Sequence, residues 1–203
     1  MTSKVGILAY GSLIDDPGPE IEGVVARVIK DGVTTPFKVE FARTSATRAG
    51  APTLVPVDTG GANVAAQILV LREDVDESAA RDMLWRRETG RTGVAPVNPT
   101  SVGPNRVIVE RLQDFHGVPV VLYTRIGANI VPLTARRLAE LAIASAKSAS
   151  LPEGRDGISY LANALRNGIQ TPLAAEFEQE VKRQTRATSL AAALRIVRSH
   201  CEG

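Results

Sequence analysis

The chain has 203 residues, with 24 Lys and Arg against 22 Asp and Glu, a net charge of +2, and 44% hydrophobic but only 4% aromatic side chains. That length suits one domain, or one domain with an appendage, and can bury a substantial core that aliphatic residues and alanine must fill. The charge balance excludes nucleic acid as an implied partner, a single cysteine (Cys201) excludes a disulfide within the chain, and no apolar run is long enough for a membrane span or a leader. On these features a soluble, cytoplasmic protein is the expectation.

The first part of the chain reads mostly as strands. Val5 to Tyr10 is a short apolar run that stops at a glycine turn. Val24 to Ile29 reads as a second strand, and Phe37 to Phe41 alternates with Phe37, Val39 and Phe41 on one face. Leu54 to Val57 is bounded by Pro56 and the turn Asp58-Thr59-Gly60-Gly61, and Val64 to Leu71 suits a central strand. A helix is predicted from Asp74, capped by that residue with Glu77 three positions on, and closed at Gly90. Ala80, Met83 and Leu84 form its inner stripe. Strands resume at Arg106 to Arg111 and at Val118 to Thr124, with His116 in a hairpin turn ahead of Gly117.

The last third is helical. Thr134 to Ser148, Ile158 to Arg166, Leu173 to Arg183 and Ser189 to Ser199 read as four helices, with a linker at Ser148 to Gly157. Strands first and helices after favour an α+β fold over a regular βαβ alternation. The expected organisation is a single domain, with a core over residues 5–130 and a helical C-terminal extension over 131–203.

Two features carry chemistry. Tyr10-Gly11-Ser12-Leu13 lies where an apolar strand ends. A Gly-Ser turn there leaves backbone N–H groups without a sheet partner, and these can converge on an anion or a developing oxyanion. An ordinary strand-ending turn reads the same way. Glu88 falls one helical turn after Leu84, near a helix C-terminus, where burial and the helix dipole would favour its neutral form. A surface glutamate paired with Arg86, Arg87 or Arg91 is the plainer reading of that residue alone. His200 and Cys201 adjoin near the chain end with no second pair to complete a zinc site, so no metal or other cofactor is expected.

Taken in order, these segments resemble the γ-glutamylcyclotransferase superfamily, and more closely its ChaC-like, glutathione-specific branch. The strand and loop Ile7-Leu8-Ala9-Tyr10-Gly11-Ser12-Leu13 match its Y-G-S-L opening. Phe41-Ala42-Arg43 and Arg48-Ala49-Gly50 are loosely similar to its arginine and glycine-bearing segment. Leu84-Trp85-Arg86-Arg87-Glu88 matches the helix that bears its essential glutamate. A weaker likeness runs through Ser159-Tyr160-Leu161-Ala162-Asn163-Ala164-Leu165. Two segments depart from the pattern. Thr89-Gly90-Arg91-Thr92 stands where a glycine-tyrosine pair is usual, and Asp15-Asp16-Pro17-Gly18 replaces a continuation that carries an aromatic.

The resemblance implies a mixed, partly closed β-barrel with surrounding helices. It implies an enzyme in which the substrate's own α-amine attacks its γ-carbonyl and releases 5-oxoproline. Glu88 would be the general base and acid. The backbone around Tyr10, Gly11, Ser12 and Leu13 would hold the glutamyl end, and Arg43 and Arg48 are candidates for a substrate carboxylate. The partner is then a small γ-glutamyl compound, glutathione or another. Two other classes stay open: a non-catalytic module that binds such a ligand, and an interaction protein whose helical tail docks on a partner or forms a homodimer contact.

Overall fold

The computed structural model describes residues 4–91, 103, 106–148 and 150–199. In chain order the elements are β1 (Val5–Ala9), α1 (Ser12–Asp15), α2 (Pro19–Glu22), β2 (Val25–Ile29), β3 (Val39–Ser45), β4 (Ala51–Pro56), β5 (Gln67–Leu71), α3 (Glu77–Thr89), β6 (Ile108–Phe115), β7 (Val118–Arg125), α4 (Ala135–Ala146), α5 (Gly157–Arg166), α6 (Ala174–Thr185) and α7 (Leu190–Ser199). They group into two compact units whose segments interleave along the chain. One comprises Met1–Pro36 and Ala65–Gly127, the other Phe37–Val64 and Ala128–Gly203.

The first unit is built on a five-stranded mixed sheet in the order β2-β5-β1-β7-β6. β1 runs antiparallel to β5, with Ile7 opposite Leu69, and parallel to β7, with Gly6 opposite Val121. Every residue of β1 is buried, as expected of a central strand covered on both faces. Gly6 is required there, because a Cβ would lie 2.7 Å from the Ile68 side chain. β6 and β7 form a hairpin whose two turn residues, His116 and Gly117, both have positive φ, the geometry that matches the twist of a two-residue connection.

One face of this sheet carries the unit's main core. Val5, Ile7 and Ala9 of β1, Leu69 and Leu71 of β5, Val109 of β6, and Val120 and Leu122 of β7 meet Ala80, Leu84 and Trp85 of α3. Leu13 and Ile21, from the short helices after β1, close the same cluster. Burying such side chains is worth ~1.5–3 kcal/mol each. The helix α3 is thereby fixed across the strand that ends in the Tyr10 turn.

The second unit pairs the β3–β4 hairpin with α4 to α7. Phe41 meets Phe177 and Tyr160 edge-on, with ring centroids 5.4 and 6.2 Å away. Gly157 lets α5 approach α4 and β4 closely, since a Cβ there would lie 2.7 Å from the Ala142 backbone. Two carboxylates are sealed inside this unit. Glu40 accepts from Phe41 N (2.8 Å), Thr171 Oγ1 (2.6 Å) and Leu173 N (3.1 Å). Asp156 caps α5 through Ser159 N (2.9 Å) and also accepts from Ser159 Oγ and Arg198.

The α+β class and the helical C-terminal region are as expected. The sheet is mixed and is not a closed barrel, with β2 and β6 at its two edges. Helix α3 starts later than the sequence predicts. Its cap is Asp76, whose side chain accepts from Ala79 N at 2.8 Å, whereas Asp74 pairs with Arg72 at 3.3 Å. Two acidic residues stood within one turn of each other, and only Asp76 is placed to reach a free amide. Among the described residues no helix is long and apolar enough to cross a membrane.

Candidate functional site

At the C-terminal end of β1 the chain turns at Gly11. Its backbone, φ 60 and ψ −130, lies in a region that side-chain-bearing residues seldom occupy. Tyr10, just before it, is buried at 8% exposure, and its hydroxyl donates to the Thr124 carbonyl at 3.2 Å. That bond ties the turn to β7. After Gly11 the chain winds at once into α1, with Ile14 N donating to Gly11 O and Asp16 N to Ser12 O. The leading N–H groups of such a turn have no acceptor inside it. Leu13 does not face outward: it is buried in the core beneath α3. Gln67 of β5 steadies the turn from below, donating to the Ile14 carbonyl at 3.2 Å.

Glu88 lies in the last turn of α3. It follows Leu84 by four residues and Trp85 by three, and both are buried, so it sits on the edge of the packed face. Its side chain is 25% exposed, neither sealed in nor standing in bulk water. Gly90, at φ 66, closes the helix as the sequence predicts, its N–H donating to the Arg86 carbonyl. Thr89 Oγ1 donates to the Trp85 carbonyl at 2.8 Å and further fixes this turn.

Arg87 joins these two places. Its Nε and one terminal nitrogen both donate to the Asp16 carbonyl, at 3.1 and 2.6 Å. The same guanidinium lies 3.6 Å from the Asp16 carboxylate, and its other terminal nitrogen lies 3.5 Å from Glu88 Oε1. Arg86, next to it, turns the other way and grips the Glu20 carboxylate on the surface, its closest contact 2.7 Å. That hydrogen bond holds the Glu20 carboxyl below its ordinary range. So the last turn of α3 is fastened by two arginines to the residues that follow the Gly11 turn. The reading of Glu88 as an arginine-paired glutamate is met by Arg87, and the pairing residue also holds the loop.

The remaining candidates belong to the other unit. Arg43 sits in β3 opposite Thr53, and its burial pulls the guanidinium below its ordinary pKa. Arg48 lies in the 3₁₀ turn between β3 and β4, stacks 4.8 Å from the Tyr160 ring centre and donates to the Arg155 carbonyl at 3.3 Å. Both residues are thus built into the second unit's own packing. Tyr123 of β7 donates to the carboxylate of Glu110, its partner across the hairpin, and burial first, then that bond, pushes its phenol upward. Among the described residues no three His, Cys, Asp or Glu side chains are grouped to hold a metal ion. His200 and Cys201 lie outside the described residues.

Sequence reasoning singled out the turn and Glu88 but not the socket for Arg87. Asp16 and Gly18, which build it, sit in the segment Asp15-Asp16-Pro17-Gly18 that follows the turn. Gly18 has φ 84, and a Cβ there would come within 2.9 Å of Arg87 Cδ. The signal was present as two arginines beside the glutamate, without anything to say which one reaches Asp16.

The sequence matches no family model and no curated protein. Among solved structures it is similar to a γ-glutamyl cyclotransferase specific to glutathione from yeast, at 14% identity over 98% of this chain and 100% of that one, with a TM-score of 0.48.

Proposed function

We propose that the protein is a metal-independent γ-glutamylcyclotransferase acting on glutathione or another γ-glutamyl compound, with Glu88 as its general base and acid. The observation that carries this reading is the pairing of a glycine turn at the end of β1 with a part-exposed glutamate at the end of α3. One arginine holds the glutamate and the residues after the turn together. The Tyr10–Leu13 and Arg87-Glu88 motifs supply the rest.

The chemistry asks little of the protein. Glu88 takes a proton from the substrate's α-ammonium group. The freed amine attacks the γ-carbonyl carbon, forming the ring C–N bond and a tetrahedral oxyanion. Backbone N–H groups at Gly11, Ser12 and Leu13 stabilise that oxyanion or hold the α-carboxylate. As the intermediate collapses the ring nitrogen sheds its second proton, the old amide C–N bond breaks, and Glu88 returns a proton to the leaving nitrogen, so that both protons lost by the ammonium end on the leaving amine, which departs as its ammonium. The products are 5-oxoproline and a free amine or amino acid. A tethered nucleophile brings effective molarities of about 10^5 M or more, so proton transfer and charge stabilisation suffice. Arg43 and Arg48 remain candidates for a substrate carboxylate on chemical grounds alone.

The test is release of 5-oxoproline from glutathione and from a panel of γ-glutamyl dipeptides and γ-glutamyl amines. Turnover of at least one of them is expected, and the preferred leaving group would name the substrate class. No release from any member would sink the proposal.

A further inference from the structure

Arg86 and Arg87 are neighbours of one residue type, on one helix turn, with opposite engagements. Arg86 meets the Glu20 carboxylate in a two-pronged ion pair, its own side chain 23% and that of Glu20 45% exposed, and makes no contact with Glu88 or Asp16 among the described hydrogen bonds and ion pairs. Arg87 spends two donors on one backbone carbonyl, that of Asp16, and keeps the opposite side of its guanidinium toward Glu88. Its side chain is 18% exposed, against 57% for the Asp16 side chain. Both bonds to the carbonyl are exposed, and the contact with Glu88 is part-buried. A guanidinium is planar and rigid, so holding one edge sets the direction of the other. Gly18 completes the arrangement, because any side chain there would press on the arginine's stem. None of these contacts contributes to the core that already fastens α3, so core packing does not account for them.

We propose that Arg87 is the positioning residue of this site: a single guanidinium, seated in a socket made by Asp16 and Gly18, fixes the Glu88 carboxylate relative to the loop that follows Gly11. This rests on the cyclotransferase reading and deepens it. A base that must first take a proton from one nitrogen and then give one to another needs a set distance to the oxyanion donors. Near-attack geometry lost by about 1 Å can cost up to a hundredfold in rate. The socket is made by Asp16 and Gly18, so it lies in the segment that directly follows the turn.

The experiment has two arms, both on the full chain. In the first, kcat and KM for 5-oxoproline release are measured for wild type, Arg87→Ala, Arg87→Lys and, as a control, Arg86→Gln. Arg87→Ala should lower kcat roughly ten- to a hundredfold with KM changed less than about threefold. Added methylguanidinium should restore part of that loss in Arg87→Ala but not in Glu88→Gln. Arg87→Lys should recover less than half, because an ammonium cannot grip and direct at once. Arg86→Gln should stay within about twofold of wild type. In the second arm, amide hydrogen exchange is followed at residues 11–16 without substrate. Exchange there should quicken at least about tenfold in Arg87→Ala and not in Arg86→Gln. Unchanged exchange in Arg87→Ala, or wild-type kcat in that variant, would overturn the inference. A wild-type protein inactive on every substrate, with the exchange difference intact, would instead remove the cyclotransferase reading and leave the coupling standing.

Discussion

The two units use carboxylates in opposite ways. In the second, Glu40 and Asp156 are sealed from solvent, at 0% and 1% exposure, and each accepts three hydrogen bonds. In the first, Glu88 stands a quarter exposed at a helix end, held from the side by an arginine that is itself seated elsewhere. A carboxylate surrounded by donors on every side is a structural pin: moving its proton would break the bonds that justify its burial. A carboxylate that is held but not enclosed can exchange a proton with something that arrives. Burial alone would point to Glu40; the way each glutamate is held is what leads the proposed function to Glu88 instead.

The sharpest way to break that contrast is to remove the charge from each. Glu88→Gln should cost ~10^2 to 10^4 in the rate of 5-oxoproline release while leaving folding stability within about 0.5 kcal/mol of wild type, as read by urea denaturation. Glu40→Ala should do the reverse. It strands the donors of Phe41, Thr171 and Leu173 and should lower stability by on the order of 3 kcal/mol, with turnover per folded molecule unchanged. A Glu40 variant that unfolds at the wild-type urea concentration would show that the enclosed carboxylate is no pin.

Smaller effects sharpen the picture. Gly11→Ala forces a side chain into a backbone region it resists and should cost about 1–3 kcal/mol in stability. The loss should be accompanied by reduced turnover, since the proposed function draws its oxyanion donors from the same turn. Tyr123 gives a pH signature that is silent at neutrality. Its folded-state pKa is raised, by burial first and by the bond to Glu110 next. The stability it contributes is therefore fully present below the unfolded value of about 10 and is lost as pH rises through and beyond it. Urea midpoints followed from pH 8 upward should fall above about pH 10, and Tyr123→Phe should flatten that fall.

Much of the fold was legible in the residues. The apolar run at β1, the closing role of Gly90, the His116-Gly117 turn and the helices of the last third all follow from local pattern and turn chemistry. What was hidden depended on contacts distant in sequence. Glu40 lies in a run that alternates like any half-buried strand, and nothing local says that Thr171 and Leu173 will meet it. The grouping of residues 37–64 with the C-terminal helices is likewise a tertiary fact, set by Phe41 finding Phe177 and by Gly157 yielding space beside Ala142. At the candidate site, residue type and order singled out the turn and the glutamate that the proposed function uses. The helix start was misplaced because Asp74 and Asp76 are equal as caps until the backbone decides between them. The Arg87 socket was unreadable because its partner is a backbone carbonyl, which no side-chain pattern reports.

The most direct test of the central claim compares a free γ-glutamyl substrate with the same compound acetylated on its α-nitrogen, following 5-oxoproline and free glutamate together. The account requires 5-oxoproline from the free amine, none from the acetylated compound, and no glutamate from either, because the nucleophile is the substrate's own nitrogen. Glutamate from the free compound, or cleavage of the acetylated one, would mean that water attacks instead and that Glu88 serves a hydrolase.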